Sequence, residues 1–130
     1  MSRIPSSGTA PERAVRSLLF RLGLRFRLNV SGLPGRPDIV LPRWGTVVFV
    51  HGCFWHRHPG CAWSYSPKSR VSFWAEKFAA NVARDARAQR ELRRAGWRYL
   101  VVWECEVANE DRLRRRLRRL FPASGPDTVD

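Results

Sequence analysis

The stretch Thr46-Val47-Val48-Phe49-Val50-His51-Gly52-Cys53-Phe54-Trp55-His56-Arg57-His58-Pro59-Gly60-Cys61 decides how this chain is read. It begins with an apolar, β-branched run of the kind that forms a strand buried on both faces of a sheet. The residues after that run are dense in ligand chemistry. All 3 histidines of the protein, and two of its 3 cysteines, lie between positions 51 and 61. Soft thiolates and imidazoles together form a zinc-type ligand set. Because the cluster follows the strand directly, its side chains gather at a strand end, where sites are commonly built.

Working outward, residues 9–23 read as a helix. Val15, Leu18, Leu19 and Leu22 repeat at helical spacing, Thr9 and Glu12 have the form of a capping box, and Gly23 stops the run. Residues 24–30 alternate apolar and polar and predict a half-buried strand. A Gly/Pro-rich turn spans 31–37, and 38–41 is a short strand. The strand at 46–50 is expected to be central. A Ser- and Pro-rich loop then leads to a long helix over 72–95, with Trp74, Phe78, Val82 and Ala86 as its core stripe and Gly96 as its stop. Residues 97–104 form another buried strand running into Cys105, and 109–121 a last helix with Leu113, Leu117 and Leu120 inward. The order predicts a single α/β domain over 9–121, a mixed β-sheet flanked by α-helices. A disordered arm (1–8) and a disordered tail (122–130) are expected on either side.

The chain has 130 residues, enough for one core, with 6 Trp and 7 Phe to fill it. No apolar run approaches the roughly 20 residues of a membrane span. The odd number of cysteines and the polar start argue against a secreted disulfide framework, so a reducing cytoplasm is expected, on the nucleoid if the partner is DNA. The formal net charge is +13, from 24 Lys+Arg against 11 Asp+Glu. That excess suits a polyanion, with nucleic acid the first candidate, and arginine suits bidentate contact with phosphate. A basic surface serving solubility is the competing reading.

Two constellations carry chemistry. Cys53, His58, Cys61 and Cys105 can close a tetrahedral Cys₃His structural zinc site that ties two strand ends together; buried free thiols and surface histidines are the alternative. Asp38 starts one strand, and His51 ends the strand that follows it. An acid beside a backbone carbonyl can hold Mg²⁺, with His56 near enough to serve as a general base; Asp38 as a turn-capping residue is the plainer reading. On the long helix Lys77, Asn81 and Asp85 share one face. That face is either solvated or aimed at a substrate. Phe54 and Trp55 either pack over the metal loop or wedge between bases.

Together these residues resemble the very short patch repair endonucleases, which nick one strand at T·G mismatches. The resemblance rests on Leu33-Pro34-Gly35-Arg36-Pro37-Asp38, His51-Gly52-Cys53-Phe54-Trp55-His56, Phe73-Trp74-Ala75-Glu76-Lys77, Asn81-Val82-Ala83-Arg84-Asp85, Gly96-Trp97-Arg98 and Val102-Trp103-Glu104-Cys105. It covers residues 9–107 in similar order. It implies a restriction-endonuclease-like fold with a structural zinc, and Mg²⁺-dependent hydrolysis of the phosphodiester 5′ to the mismatched T. By resemblance Asp38 is the Mg²⁺ ligand, with the Val50 carbonyl beside it, and His56 is the general base. His51, Asp85 and Glu12 assist in the active site. Cys53, His58, Cys61 and Cys105 are the zinc ligands. Phe54, Trp55 and Trp74 intercalate beside the mispair, which moves Trp74 from the core to a DNA-facing helix start, and Lys77 and Asn81 lie near the mispaired bases. Val50 stands where a familiar family form has Thr, the His58–Cys61 spacer is one residue longer, and the arm before residue 9 is short. The expected partners are double-stranded DNA with a T·G mismatch and mismatch-repair proteins, met by a monomer, since one nick needs one active site. A nickase of the same fold directed by sequence or base modification is an alternative, as is a zinc-stabilised DNA-binding module without catalysis.

Overall fold

A computed structural model describes residues 9–126. Four strands form one mixed sheet in the order β1-β2-β3-β4, comprising β1 (Arg27–Leu28), β2 (Ile39–Leu41), β3 (Thr46–His51) and β4 (Arg98–Trp103). The first two pairings are antiparallel and β3 with β4 is parallel. Parallel neighbours need a crossover, and here it contains the long helix α2 (Val71–Arg94). The helices α1 (Ala10–Arg21) and α4 (Glu110–Leu120) cover the other face of the sheet.

The period of a strand assigns each side chain to a face. Val48 joins Val15, Leu18, Leu19, Leu113 and Leu117 in the α1/α4 core, with Val50 against it. Val47 and Phe49 join Leu92 in the α2 core. His51 continues the second series, so the strand delivers it to the α2 side. Asp38 has the same parity as Val40, which also packs in the α2 core. The two residues expected to carry chemistry thus reach one side of the sheet by strand alternation.

Several elements depart from the sequence reading. The strand expected over 24–30 is reduced to a two-residue ladder. Leu24 N–H bonds back to Leu19 O, so the wrapped end of α1 takes the start of this stretch, and Asn29 at φ 55° ends it. The capping box is half made: Thr9 Oγ1 accepts from Glu12 N–H at 3.4 Å, while the Glu12 side chain is buried elsewhere. A short helix α3 (Glu104–Val107), not expected, carries Cys105. The start of the expected tail also has a place, since Gly125 N–H bonds Pro122 O and Gly125 packs against Arg43. The expected arm 1–8 and the end of that tail, 127–130, lie outside the described residues.

The largest correction concerns α2. The stripe Trp74, Phe78, Val82 and Ala86 is not its core face, and Val82 is 45% exposed. The inward stripe is Asn81, Asp85, Ala88 and Leu92: Ala88 and Leu92 are buried, and Asn81 and Asp85 line a cleft. The N-terminal half of the helix projects past the end of the sheet, so its inward side meets a cavity where polar groups are useful.

Gly35 sits where the loop before β2 crosses α2. A Cβ there would lie 2.6 Å from Ala88 Cβ and 3.2 Å from the Phe49 ring, and the backbone is left-handed at φ 76°. We expect Gly35→Ala to destabilise the fold by about 2–4 kcal/mol, summing the left-handed penalty and overpacking. Urea denaturation checks this, and nicking should fall too because the same loop sets Asp38.

Candidate active site

A cleft of about 1290 Å³ opens at the C-terminal end of β3, between the start of α1 and the middle of α2. Glu12, Asp38, Val50, His51, Phe54, Trp55, His56, Asn81 and Asp85 all contribute to its wall. Asp38 is fixed by a hydrogen bond in which Val50 N–H donates to Oδ2 at 2.7 Å. Burial pushes its carboxyl up to about 6 against the pull of that N–H, and the neighbouring Glu12 charge adds to the rise. Glu12 is 6% exposed and forms an ion pair with Arg16, whose Nη2 lies 3.4 Å from Oε2. Two adjacent carboxylates at one end of a cleft offer hard oxygen donors, the set that suits Mg²⁺.

Beside them, His51 and His56 stack almost flat, with centroids 3.8 Å apart and planes 7° from parallel. His56 Nδ1 is 2.6 Å from Asp85 Oδ2. That contact favours the tautomer with hydrogen on Nδ1 and leaves Nε2 as an acceptor. His51 is held down to about 4 by burial and by His56, opposed by Asp85, so it is neutral at pH 7. Donor atoms of His51, His56 and Asp85 all lie within 4.8 Å of one another.

The second cluster lies behind the loop. Donor atoms of Cys53, His58, Cys61 and Cys105 also fall within 4.8 Å of one another. His58 Nδ1 is 3.7 Å from Cys53 Sγ and 3.4 Å from Cys105 Sγ. Tetrahedral zinc with its usual bond lengths requires about 3.6 Å between S and N ligands. The donor set and its spacing therefore fit zinc. Burial pushes the Cys53 thiol up to about 12; a bound cation reverses that preference, because the thiolate is the ligand.

An aromatic patch adjoins the cleft. Phe54 is its hub, with ring centroids 5.2 Å from Trp55, 5.5 Å from Trp74, 5.1 Å from Phe78 and 5.0 Å from Tyr65. Trp55 remains 38% exposed at the cleft wall.

A family model described as DNA mismatch endonuclease Vsr matches residues 1–62. The chain is similar to Type II nicking enzyme V.XorIIP of Xanthomonas oryzae pv. oryzae, 50% identical over 95% of this chain and 90% of that protein. It is similar to Type II nicking enzyme V.NmeAIP of Neisseria meningitidis, 47% identical over 92% of this chain and 85% of that one. It is similar to DNA mismatch endonuclease Vsr of Escherichia coli, 44% identical over 87% of this chain and 72% of that one.

The chain belongs to the DNA mismatch endonuclease Vsr family. It is a DNA endonuclease that nicks its substrate. Among the described residues no helix is long and apolar enough to cross a membrane.

Set on this Vsr scaffold, most residues singled out from the sequence come together in the two clusters. Lys77 does not. It sits nearer the start of α2, its Nζ 5.6 Å from the Phe73 ring centroid, and does not line the cleft. Trp74 is half-buried against Phe54 and Phe78 rather than in the sheet core. Sequence reasoning missed Arg16, although its i, i+4 spacing from Glu12 was a usable signal. It also missed Arg57. That side chain donates to the carbonyls of Phe54 (3.3 Å), Ser64 (3.1 Å) and Tyr65 (3.0 Å), and its guanidinium lies 4.0 Å from the Phe78 ring centroid. It pins the ligand loop to the aromatic patch, and no local pattern announces it, because its partners are backbone carbonyls. Arg84 was missed as well: it donates to Asn81 Oδ1 at 2.5 Å and lines the cleft.

Proposed function

We propose that this endonuclease hydrolyses the phosphodiester 5′ to the thymine of a T·G mismatch in duplex DNA, with Mg²⁺ in the active site and zinc in the Cys₃His cluster. The observation that carries the reading is one cleft in which the Asp38–Glu12 carboxylates, the His51–His56–Asp85 group, half-buried Phe54 and exposed Trp55 meet. The mixed sheet, with its parallel pair bridged by α2, supports a restriction-endonuclease-like fold. When bound at Asp38, Glu12 and the Val50 carbonyl, Mg²⁺ supplies charge stabilisation for the phosphoryl oxygens.

The protein groups have separate tasks. Val50 N–H keeps the Asp38 carboxylate aimed. Asp85 holds His56 through Nδ1, so Nε2 takes a proton from the attacking water as the new P–O bond forms. The old P–O bond breaks and its oxygen is protonated by solvent. His51, neutral under His56, adds no competing positive charge as His56 becomes protonated. Phe54, Trp55 and Trp74 wedge into the stack at the mispair, where separating the bases costs least. Asn81 and Lys77 face the DNA beside them. Arg13, Arg36, Arg84 and Arg87 on the cleft wall take phosphates, which position the duplex without reading it.

A nick directed by sequence rather than by a mispair is the second reading, favoured by the names of V.XorIIP and V.NmeAIP. Varying the mispair with fixed flanks, then the flanks with a fixed T·G, separates the two. Under the mismatch reading, T·A in place of T·G abolishes the nick in every context. Persistence of the nick in one paired sequence establishes the other reading.

The raised Asp38 carboxyl predicts a pH effect. Below about 6 this group is neutral and must lose a proton to bind a cation; above it the proton is already gone. Mg²⁺ affinity should therefore weaken as pH falls from 7.5 to 5.5. Isothermal titration in two buffers of different ionisation heat reads both the affinity and the proton released. A pH-independent affinity contradicts the assignment of Asp38.

A further inference from the structure

Helix α4 carries six arginines against two acids. Its neighbours neutralise only some of them. Arg114 pairs with Asp111, Arg116 with Glu106, and Glu110 is taken by Arg21 of α1. Arg118 is structural, donating to Leu22 O at 3.0 Å and to Phe121 O at 3.5 Å. Arg112, Arg115 and Arg119 remain. They are exposed, and among the described residues no acid pairs with any of the three side chains. Their spacing of i, i+3 and i+7 puts them on one face of the helix. The stripe is about 10 Å long at 1.5 Å per residue, a length of duplex axis along which one DNA strand places about three phosphates, one per roughly 3.4 Å of axis. A shallow groove alongside is lined by Leu22, Arg114, Arg115, Arg118 and Arg119.

This stripe is on the helix that covers the sheet face opposite α2, whereas the strand delivers His51 to the α2 side. The cleft lies at His51, the last residue of β3, and at Glu12, in the first turn of α1. The α4 groove lies at Leu22, past the far end of α1. The end of α4 is also anchored at the far end of β3: Phe121 packs edge-on against Trp44, 5.2 Å away, just before that strand begins. Five steps along β3 put that end of α4, with Arg119 beside it, about 17 Å from His51, while Arg112 at the helix start follows α3 at the other end of the sheet. The two lining sets share no residue.

We propose that Arg112, Arg115 and Arg119 form a second DNA-backbone surface, which holds a duplex segment other than the one in the cleft. The partner follows from charge complementarity in a chain that acts on DNA: three aligned, uncompensated guanidinium groups match a row of phosphates, and arginine is suited to them. Such contact carries no sequence information and supplies non-specific affinity.

The test is energy transfer between two labelled duplexes, donor on a T·G duplex and acceptor on a fully paired one. It is run with the whole chain and with divalent cations withheld, so that nothing is cut. Transfer should appear at low salt with the wild type, and the second-duplex affinity should fall with salt at a log–log slope of about −2.7, three contacts at 0.9 each. In R112Q/R115Q/R119Q that affinity should drop at least tenfold. The lysine triple variant, which keeps the charge, should retain most of it. Circular dichroism melting checks that both variants fold. Absence of transfer in the wild type, or equal transfer in the glutamine variant, overturns the proposal. Competition by poly-glutamate at concentrations where a third duplex does not compete also overturns it, in favour of an acidic protein partner.

Discussion

Replacing His56 with alanine should slow nicking by about 10²–10⁴-fold, the usual share of a positioned general base. Binding of a mismatched duplex should stay within a few-fold of wild type. The asymmetry follows from placement. His56 reaches the cleft through a ring held by Asp85 at 2.6 Å and stacked on His51 at 3.8 Å. The task proposed for it is to accept a proton, whereas affinity is expected from arginines and aromatics elsewhere on the wall. Asp85→Asn should slow nicking as well, because an amide can donate to Nδ1 and place the proton on the wrong nitrogen. Single-turnover nicking with a parallel gel-shift titration measures both quantities. Equal loss of rate and binding in the alanine variant would remove His56 from the chemistry and make it a packing residue.

The second large effect is on the Cys₃His cluster. Cys105 enters from α3, 47 residues along the chain from His58, so a shared ion there closes a long loop. The loop before α2 that it would tie down has little apolar core of its own, since Trp63 and Tyr65 are 48% and 62% exposed. Structural zinc contributes folding free energy directly. Cys105→Ser should therefore lose the ion and on the order of 3 kcal/mol or more of stability. It should also loosen Phe54 and Trp55, which follow Cys53 immediately, and so weaken mismatch binding as well as nicking. Elemental analysis, thermal melting and a gel-shift titration on the same samples read all three. A zinc-free wild type as stable as the serine variant contradicts the assignment.

The legible parts of this molecule were those in which a local pattern has one physical solution. The β-branched run before His51 could only be an interior strand, and strand alternation then sent His51 and Asp38 to the same side. The Cys/His residue types pointed to a metal, although their spacing left free thiols as an alternative and Cys105 could be joined to them only because a second buried strand ended there. Illegible parts depended on what lies opposite. The aromatic stripe of α2 has the form of a core face, yet its partner is the protruding loop at Phe54, not the sheet. The polar positions Asn81 and Asp85 fitted either a solvated face or one aimed at a substrate, and only the cleft at the end of β3 decides for the second. Arg57 was invisible because its bonds go to carbonyls, which no side-chain pattern encodes. The stretch 24–30 alternates like a strand, but the wrapped end of α1 and the left-handed Asn29 leave only two residues to pair.

The cleft is proposed to cut one strand beside a mispaired thymine. The most direct measurement is the strand and position of the nick when the protein, with Mg²⁺, meets an end-labelled duplex carrying a single T·G and, separately, its T·A twin. One product is expected, cut on the 5′ side of the mispaired T, with the twin intact. A cut at the same place in both duplexes, or at a fixed sequence away from the mispair, would contradict it.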